Sequence, residues 1–354
     1  MSRPPLAMAP AVSTAREPAL QAEYCAPGEL QQHDAGWWDE VLAVVRFDPA
    51  PGSSDPFHGI PSPPVLLPVL GGSDRGAEIW RLAGPLRSGQ HGRVRFRGNE
   101  RLLFAALWLP EGPYATAGIT PSGRLRAATR DAYAELFAAL GQLGCPHPLR
   151  IWNYLPRINA ESDGAERYWH FNDARRDAFV RARRAIRGDV PAASALGTAA
   201  GDSLCVYCIA GCAPPLALEN PRQCSAWQYP PQYGPQQPIF ARACIEAGAH
   251  RTLFISGTAS IVGHASAHAG DVIAQTRETL DNIRALVGAA NEQAGGARYG
   301  AERLLYKVYV RRPGDQPRIE QTLRRELGPV PPLLFLQADI CRRELLVEIE
   351  AVGT

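Results

Sequence analysis

The sequence predicts an α/β (α+β) protein built of two similar β-α-β-α-β halves that pack as a pseudo-oligomeric core with a cleft between them. Three observations carry this. An order of strand, amphipathic helix, strand, second helix and strand occurs in the first half of the chain and again in the second. The helix that opens each series has apolar residues at three- and four-residue steps, the period of a helix with one buried face. At 354 residues, with 45% hydrophobic and 20% charged residues, the chain is long enough to bury a core in both halves.

Taken in order, residues 1–20 are rich in Ala and Pro and read as a flexible tail. Val41–Phe47 is a strand, and Pro49–Pro64 is too dense in Pro, Gly and Ser for a regular element. Val65–Leu70, Glu78–Leu82 and Gly92–Phe96 are short strands of an antiparallel region. The repeated series then starts with RLLFAALWL at Arg101–Leu109. Next come a helix over Leu125–Leu143, with Ala132, Tyr133, Leu136, Phe137, Leu140 and Leu143 on one face, and a strand at Leu149–Ile158. The second series has Leu253–Ile255, a helix over Asp271–Gln293 and a strand at Arg303–Arg311. Second helices, Asn172–Ile186 and Arg318–Leu327, lead to strands Ser203–Ala210 and Leu333–Ile340. The halves are therefore 21–219, with extra strands, and 241–354. Residues 220–240, NPRQCSAWQYPPQYGPQQPIF, join them. So much Pro and Gln prevents a regular element while the aromatics need burial, so this is an ordered loop, either a lid or a passive cover for a sheet edge.

A formal net charge of +2 gives no electrostatic warrant for a nucleic-acid or membrane partner. The basic residues are almost all Arg, which suits local binding of carboxylates. No apolar run approaches the roughly 20 residues of a membrane span and no signal-peptide pattern opens the chain, so a cytoplasmic protein is expected. The eight cysteines sit mostly in apolar runs and read as reduced core residues. Cys205, Cys208 and Cys212 invite a metal reading, but in the strand LCVYCIAGC neighbouring side chains point to opposite faces and cannot converge on one ion. His264 and His268 lack an accompanying H-E-x-x-H motif, so a hydrogen-bonding, gating or structural role is expected of them. No metal and no cofactor is expected.

Thr252–Asn282 reads as a strand, a Ser/Gly/Thr-rich turn and a helix, and Gly257, lacking a Cβ, leaves room for a substrate ring or a close backbone approach. In the terminal ELLVEIEAV, strand parity puts Glu348 with Leu346, Glu350 and Val352, opposite Leu345, Val347, Ile349 and Ala351. The second set faces a core. Glu348 then faces either solvent or the cleft, where a half-buried carboxyl would have a raised pKa and could deliver a proton. Basic groups on strands supply candidate anion holders: Arg150 and Arg157 in the first half, Lys307 and Arg311 in the second.

From Thr252 to Val352 the chain resembles the Rid (YjgF-like) family, through SG at Ser256–Gly257, QTRETLDNIRALVGAA, YKVYVR and VEIEAV. Rid deaminases carry an Arg near the start of the penultimate strand, where this chain has Pro332-Leu333-Leu334. Over roughly Val41–Val352 it is similar to the chorismatases, on RIWNYLPRIN, YWHFNDARRDAF, ENPRQ with YPPQYGP, and SGTASIVGHASAH. That resemblance implies a Rid-like C-terminal part with an additional N-terminal part, and release of pyruvate from chorismate without a cofactor. It also implies that Glu348 protonates the enolpyruvyl methylene. Gly257 and Cys341 match the members that form hydroxybenzoate, so 3-hydroxybenzoate is the expected product, with or without 4-hydroxybenzoate. Arg157 and Arg311, with Tyr154 and Tyr207, are the expected holders of the two substrate carboxylates. Alternatives are a Rid-type imine deaminase and a chorismate hydrolase giving a dihydroxycyclohexadienoate. A monomer or weak homo-oligomer is expected.

Overall fold

Runs that are apolar at nearly every position must be covered on both faces, and they lie in the middle of two large sheets. The structure is a computed structural model and describes residues 19–47, 57, 59–71, 76–198, 201, 203–296, 298–328 and 333–353. The expected tail up to residue 18, most of Pro49–Pro64, and Pro332 lie outside the described residues. The first sheet has six strands in the order Ala192–Thr198, His147–Pro156, Ser203–Gly211, Leu102–Pro110, Val94–Gly98 and Arg87–His91. The second has seven: Leu216–Leu218, Ala243–Ile245, Leu253–Ala259, Val347–Gly353, Leu305–Val310, Leu334–Gln337 and Val69–Leu70. A separate four-stranded sheet takes Leu20–Cys25, Ala77–Leu82, Val41–Phe47 and Pro64–Val65.

The duplication is visible in strand order. In each large sheet the strand after the first helix pairs in parallel with the strand after the second helix. A last strand then inserts antiparallel beside it: Ser203–Gly211 in one sheet, Val347–Gly353 in the other. This corrects the expected correspondence. The counterpart of Leu334–Gln337 is Ala192–Thr198, a strand of Ala, Ser, Leu, Gly and Thr with little apolar signal, and Ser203–Gly211 matches the terminal strand. Val69–Leu70 leaves the N-terminal strands to pair with Phe335 and Leu336 at the edge of the other sheet.

Helix Pro121–Gln142 begins four residues before the apolar signal, because Thr120 caps Gly123 N at 3.2 Å and Pro121 suits the first helical position. Helix Val272–Ala294 is capped by Asp271, which accepts from Ile273 N at 3.0 Å and Ala274 N at 3.1 Å, and Gly295 ends it at φ 74°. No helix among the described residues is long and apolar enough to cross a membrane.

The two large sheets face each other. Phe254, Tyr309, Leu334 and Leu336 share a core with Trp152, Tyr154, Leu196 and Tyr207. On the other side of the second sheet, Val347, Ile349 and Ala351 pack with Leu280, Ile283, Ile319 and Leu323 of its helices. Glu348 and Glu350 therefore point into the space between the halves. The parity holds only from Val347 onward: Leu346 joins the helix-side core and Leu345 packs with Ala259, Ile261 and Ile340, because a turn closed by Leu345 N and Arg342 O precedes the strand.

Candidate active site

Strand Leu253–Ala259 pairs with the terminal strand through Ile255 and Ala351, then slips, resuming at Thr258 with Ile349 and Ala259 with Glu348. Ser256 and Gly257 form the resulting bulge, a device that re-aims a side chain. Ser256 is pinned there, donating to Ala241 O at 2.6 Å and accepting from Ala193 N at 2.9 Å, so its hydroxyl is structural. Gly257 is needed for space rather than backbone freedom. A Cβ at that position would collide with Oε1 of Glu348 and lie 2.9 Å from its Cδ.

Glu348 is 4% exposed, and among the described residues no hydrogen bond reaches its carboxyl group. Burial, then the charge of Glu350, push its pKa up to about 8, against the opposing pull of Arg150 and Arg311. It is a neutral acid at neutral pH. Cys341 stands beside it on the turn before the terminal strand, and burial, then Glu348, push its thiol up to about 12. An un-ionised thiol offers a weak donor and a shaped wall rather than a nucleophile.

These three residues border a pocket of about 320 Å³ and an inner recess of about 50 Å³. Tyr168 and Trp169, at the start of helix Arg167–Arg181, form one wall; Arg167 pins that helix by its contacts with Glu111 and Pro156 O. Residues 220–240 add Tyr229, Gln232, Tyr233 and Pro238 to the lining, and the loop comes close to Trp169 at Gly234. That loop is anchored by Asn220 Nδ2 on Asn282 O at 3.0 Å, Cys224 N on Gly263 O at 3.0 Å, and Arg222 on Glu278 at 2.6 Å. Tyr233 hydroxyl meets Nδ1 of His264 at 3.2 Å, and His268 Nε2 lies 3.3 Å from Glu278. His264 thus touches the loop at Tyr233, and His268 lies beside the loop's anchor at Glu278. Among the described residues no group of three or more His, Cys, Asp or Glu is placed to hold a metal.

Four arginines line this space; Arg343 is paired with Glu166 and Asn159 O, and each of the other three has a nitrogen with no hydrogen-bond partner. Arg242 is 4% exposed and donates to Tyr229 hydroxyl at 2.8 Å and Cys224 O at 2.7 Å, leaving Nε free. Arg342 stacks 3.7 Å over the Tyr233 ring and donates to His264 O, leaving Nη2. Arg175, in the recess, donates to Tyr133 hydroxyl and Ile239 O, leaving Nη2. Buried cationic donors without acceptors are suited to an anionic ligand.

The structure brings Glu348, Cys341 and Gly257 together but not the other four expected residues, and the reasons are physical. Tyr154 and Tyr207 are buried in a hydroxyl stack, with Tyr154 at 2.7 Å from Tyr309 hydroxyl and 3.3 Å from Tyr207 hydroxyl, enclosed by the facing sheets. Arg311 spends its guanidinium on Asp339 at 2.8 Å, Asn159 at 3.1 Å and the carbonyls of Ile340, Arg342 and Leu345, so it braces the turn that carries Cys341. Arg157 is exposed in a turn at φ 50° after the strand ends. Its equivalence to Arg311 was read from strand position alone. Arg175, Tyr168 and Tyr229 sit inside the motifs YWHFNDARRDAF and YPPQYGP, so the signal that finds them was present but not resolved to single residues.

The family model described as "Chorismatase FkbO/Hyg5-like, N-terminal" matches residues 78–210. A "3-hydroxybenzoate synthase" of Streptomyces hygroscopicus is 33% identical over 321 residues, 88% of this chain and 91% of the relative. A "Chorismatase" of Streptomyces rapamycinicus is 34% identical over 342 residues, 95% of this chain and 99% of the relative. A crystal structure of a chorismatase superposes with a TM-score of 0.83 at 28% identity, covering 96% of this chain and all of that one. Shared sequence over nearly the whole length, with the same fold, establishes that this chain belongs to the chorismatase family.

Proposed function

We propose that the protein converts chorismate into hydroxybenzoate, 3-hydroxybenzoate with or without the 4-isomer, and pyruvate. The observation that carries this is a buried carboxyl group, Glu348, on the floor of an arginine-lined pocket, where burial favours its proton-bearing form. The Glu348 proton goes to the enolpyruvyl methylene, whose π pair forms the new C–H bond. Positive character grows on the ether carbon and is stabilised by the carboxylate left behind. The ring C–O bond then breaks with its electron pair passing to the departing pyruvate oxygen, leaving positive charge on that ring carbon. Loss of the proton from the neighbouring hydroxyl-bearing carbon gives the 4-isomer. For the 3-isomer the neighbouring hydroxyl oxygen bridges to the cationic carbon, its original C–O bond breaks, and the newly oxygenated carbon loses its proton. In either case the proton returns to the Glu348 carboxylate. The two products together contain the atoms of chorismate, so no water is consumed. Arg175 takes the enolpyruvyl carboxylate in the recess, and Arg242 with Arg342 take the ring carboxylate in the wider pocket. Gly257 and Cys341 shape the wall against the ring.

The test is incubation with chorismate followed by chromatography of the products. Equimolar pyruvate and hydroxybenzoate are expected; a dihydroxycyclohexadienoate as sole ring product would favour hydrolysis, and no pyruvate above the uncatalysed rate would end the proposal. Ammonia from an enamine substrate would instead support a deaminase.

Two further results are expected. Because the acid form of Glu348 does the work, kcat/KM should be flat below its pKa and fall as pH rises through about 8; a profile that rises there contradicts the assignment. Arg242→Lys keeps the charge but cannot serve Cys224 O, Tyr229 and a carboxylate together, so KM should rise roughly 10-fold or more with a smaller change in kcat, read by steady-state kinetics. The reading also places the enzyme in the cytoplasm, where eight unpaired cysteines suit a reducing compartment, as a monomer or weak homo-oligomer.

A further inference from the structure

Four charged side chains are buried beneath the site and none lines the pocket or its recess. Arg150 and Lys307 are each 1% exposed, Glu78 2% and Glu350 4%. Glu350 accepts from Arg150 Nη2 at 2.7 Å, Trp152 Nε1 at 2.7 Å and Ser194 Oγ at 3.1 Å, and Lys307 Nζ lies 2.9 Å from it. Lys307 also meets Glu78 at 2.9 Å. The cluster joins all three sheets, since Glu78 comes from the four-stranded one, Arg150 from the six-stranded and Lys307 with Glu350 from the seven-stranded. Burying four charges is costly, and hydrophobic residues of the same size would join the sheets as well. Its placement gives it another use. Strand alternation puts Glu350 on the same face as Glu348, roughly 7 Å along the strand.

We propose that Glu350 is a positioning residue for the reaction, an anion fixed by Arg150, Trp152, Ser194 and Lys307 that keeps the neighbouring Glu348 in its neutral, proton-donating form. This rests on the reading of Glu348 as the proton donor. Every element packed against Glu348 contributes a group. Arg150 faces it from His147–Pro156 but is committed to Glu350 and Ser194. Arg311, after Leu305–Val310, is committed to Asp339 and carbonyls. Cys341, Arg342 and Glu344 come from the turn, Tyr168 and Arg175 from helix Arg167–Arg181, and Arg242 from beside Ala243–Ile245. The substrate's two carboxylates neutralise the unpartnered arginines when they bind, whereas the charge on Glu350 stays. In a poorly polarisable interior a second ionisation next to it is disfavoured. Burial pushes the Glu350 pKa up, but Lys307 and Arg150 more than offset this and hold it below the usual carboxylate value, while Glu348 is pushed the other way. Two carboxyl groups on one strand face are thereby driven apart.

The test is an infrared titration of the substrate-free protein, following the protonated-carboxyl band that Glu348→Gln removes. In the wild type its midpoint is expected near pH 8. In Glu350→Gln it should fall by about one pH unit or more, and in Glu350→Asp, which keeps the anion, it should stay close to the wild type. Because Glu350→Gln strands Lys307, the double variant Glu350→Gln with Lys307→Met, which removes one charge of each sign, is titrated in parallel and should show a downward shift smaller than that of Glu350→Gln, since loss of the Lys307 cation acts the other way. The alkaline fall of kcat/KM should move with the band. An unmoved midpoint in the Gln variants with normal turnover overturns the role of Glu350 alone. A midpoint that moves as expected in a protein that does not turn over chorismate supports the electrostatic role and overturns the functional reading.

Discussion

Replacing Glu348 by Gln is expected to lower kcat for chorismate about 10²–10⁴-fold, the range for loss of a positioned general acid, with the fold intact. Gln has nearly the same volume and fits the space that Gly257 leaves, so it introduces no cavity. The stability effect should depend on pH, and its sign follows from linkage. The folded-state pKa of Glu348, about 8, lies above the unfolded carboxylate value. Its contribution to stability is therefore fully present below the unfolded pKa and lost as pH rises through the folded one. Gln carries no such loss. Melting curves should show the Gln variant gaining on the wild type as pH rises from the unfolded carboxylate value to about 8 and levelling off above it; a difference that shrinks over that range would mean that Glu348 is not a buried neutral acid.

Gly257→Ala is expected to lower kcat about 10²-fold, the cost of moving a catalytic group by an ångström or so. The added Cβ would collide with the Glu348 carboxyl and lie 3.1 Å from Ser194 Cβ. The bulge cannot withdraw, because Ser256 is tied to Ala241 O and Ala193 N and Thr258 to Ser256 O. Glu348 has to swing aside, so kcat should suffer more than KM, and overpacking should cost about 1–3 kcal/mol of stability. Thermal melting of the double variant Gly257→Ala with Glu348→Asp checks the cause. The shorter side chain should restore part of the lost stability without restoring activity; no recovery would put the strain elsewhere.

How much of this was legible depended on what kind of signal each part left. The long helices announced themselves through Leu136, Leu140, Ile283 and Val287, because their faces meet a sheet and the helical period survives. Ala192–Thr198 did not, since a strand of small residues crossed closely by Asp339 at Gly197 has neither alternation nor bulk. Ser203–Ala210 reads as the counterpart of Leu333–Ile340 because both are apolar, whereas by sheet position it corresponds to the terminal strand. Glu348 was legible as one of a carboxyl pair on the face opposite Val347, Ile349 and Ala351. That it faces the other half needed the second sheet. Arg242 and Arg342 leave no signal, because they come from a loop end and a turn far apart in sequence, and the motif that contains Arg175 does not single it out; Arg157 and Arg311 both follow strands, yet Arg157 is exposed and Arg311 is tied to Asp339 and carbonyls. Lys307 and Arg150 were read as candidate anion holders; they do hold anions, but these are Glu78 and Glu350 of the chain itself.

If Glu348 supplies the proton that releases pyruvate, single turnover of the wild type and of Glu348→Gln must differ at the chemical step. Enzyme in excess is mixed with chorismate and quenched, pyruvate is quantified, and chorismate affinity is measured separately by calorimetry. The account predicts that the Gln variant binds chorismate within a few-fold of the wild type, since the arginines are untouched, and forms pyruvate at least about 10²-fold more slowly. Pyruvate formation by the Gln variant at a rate close to that of the wild type would contradict it.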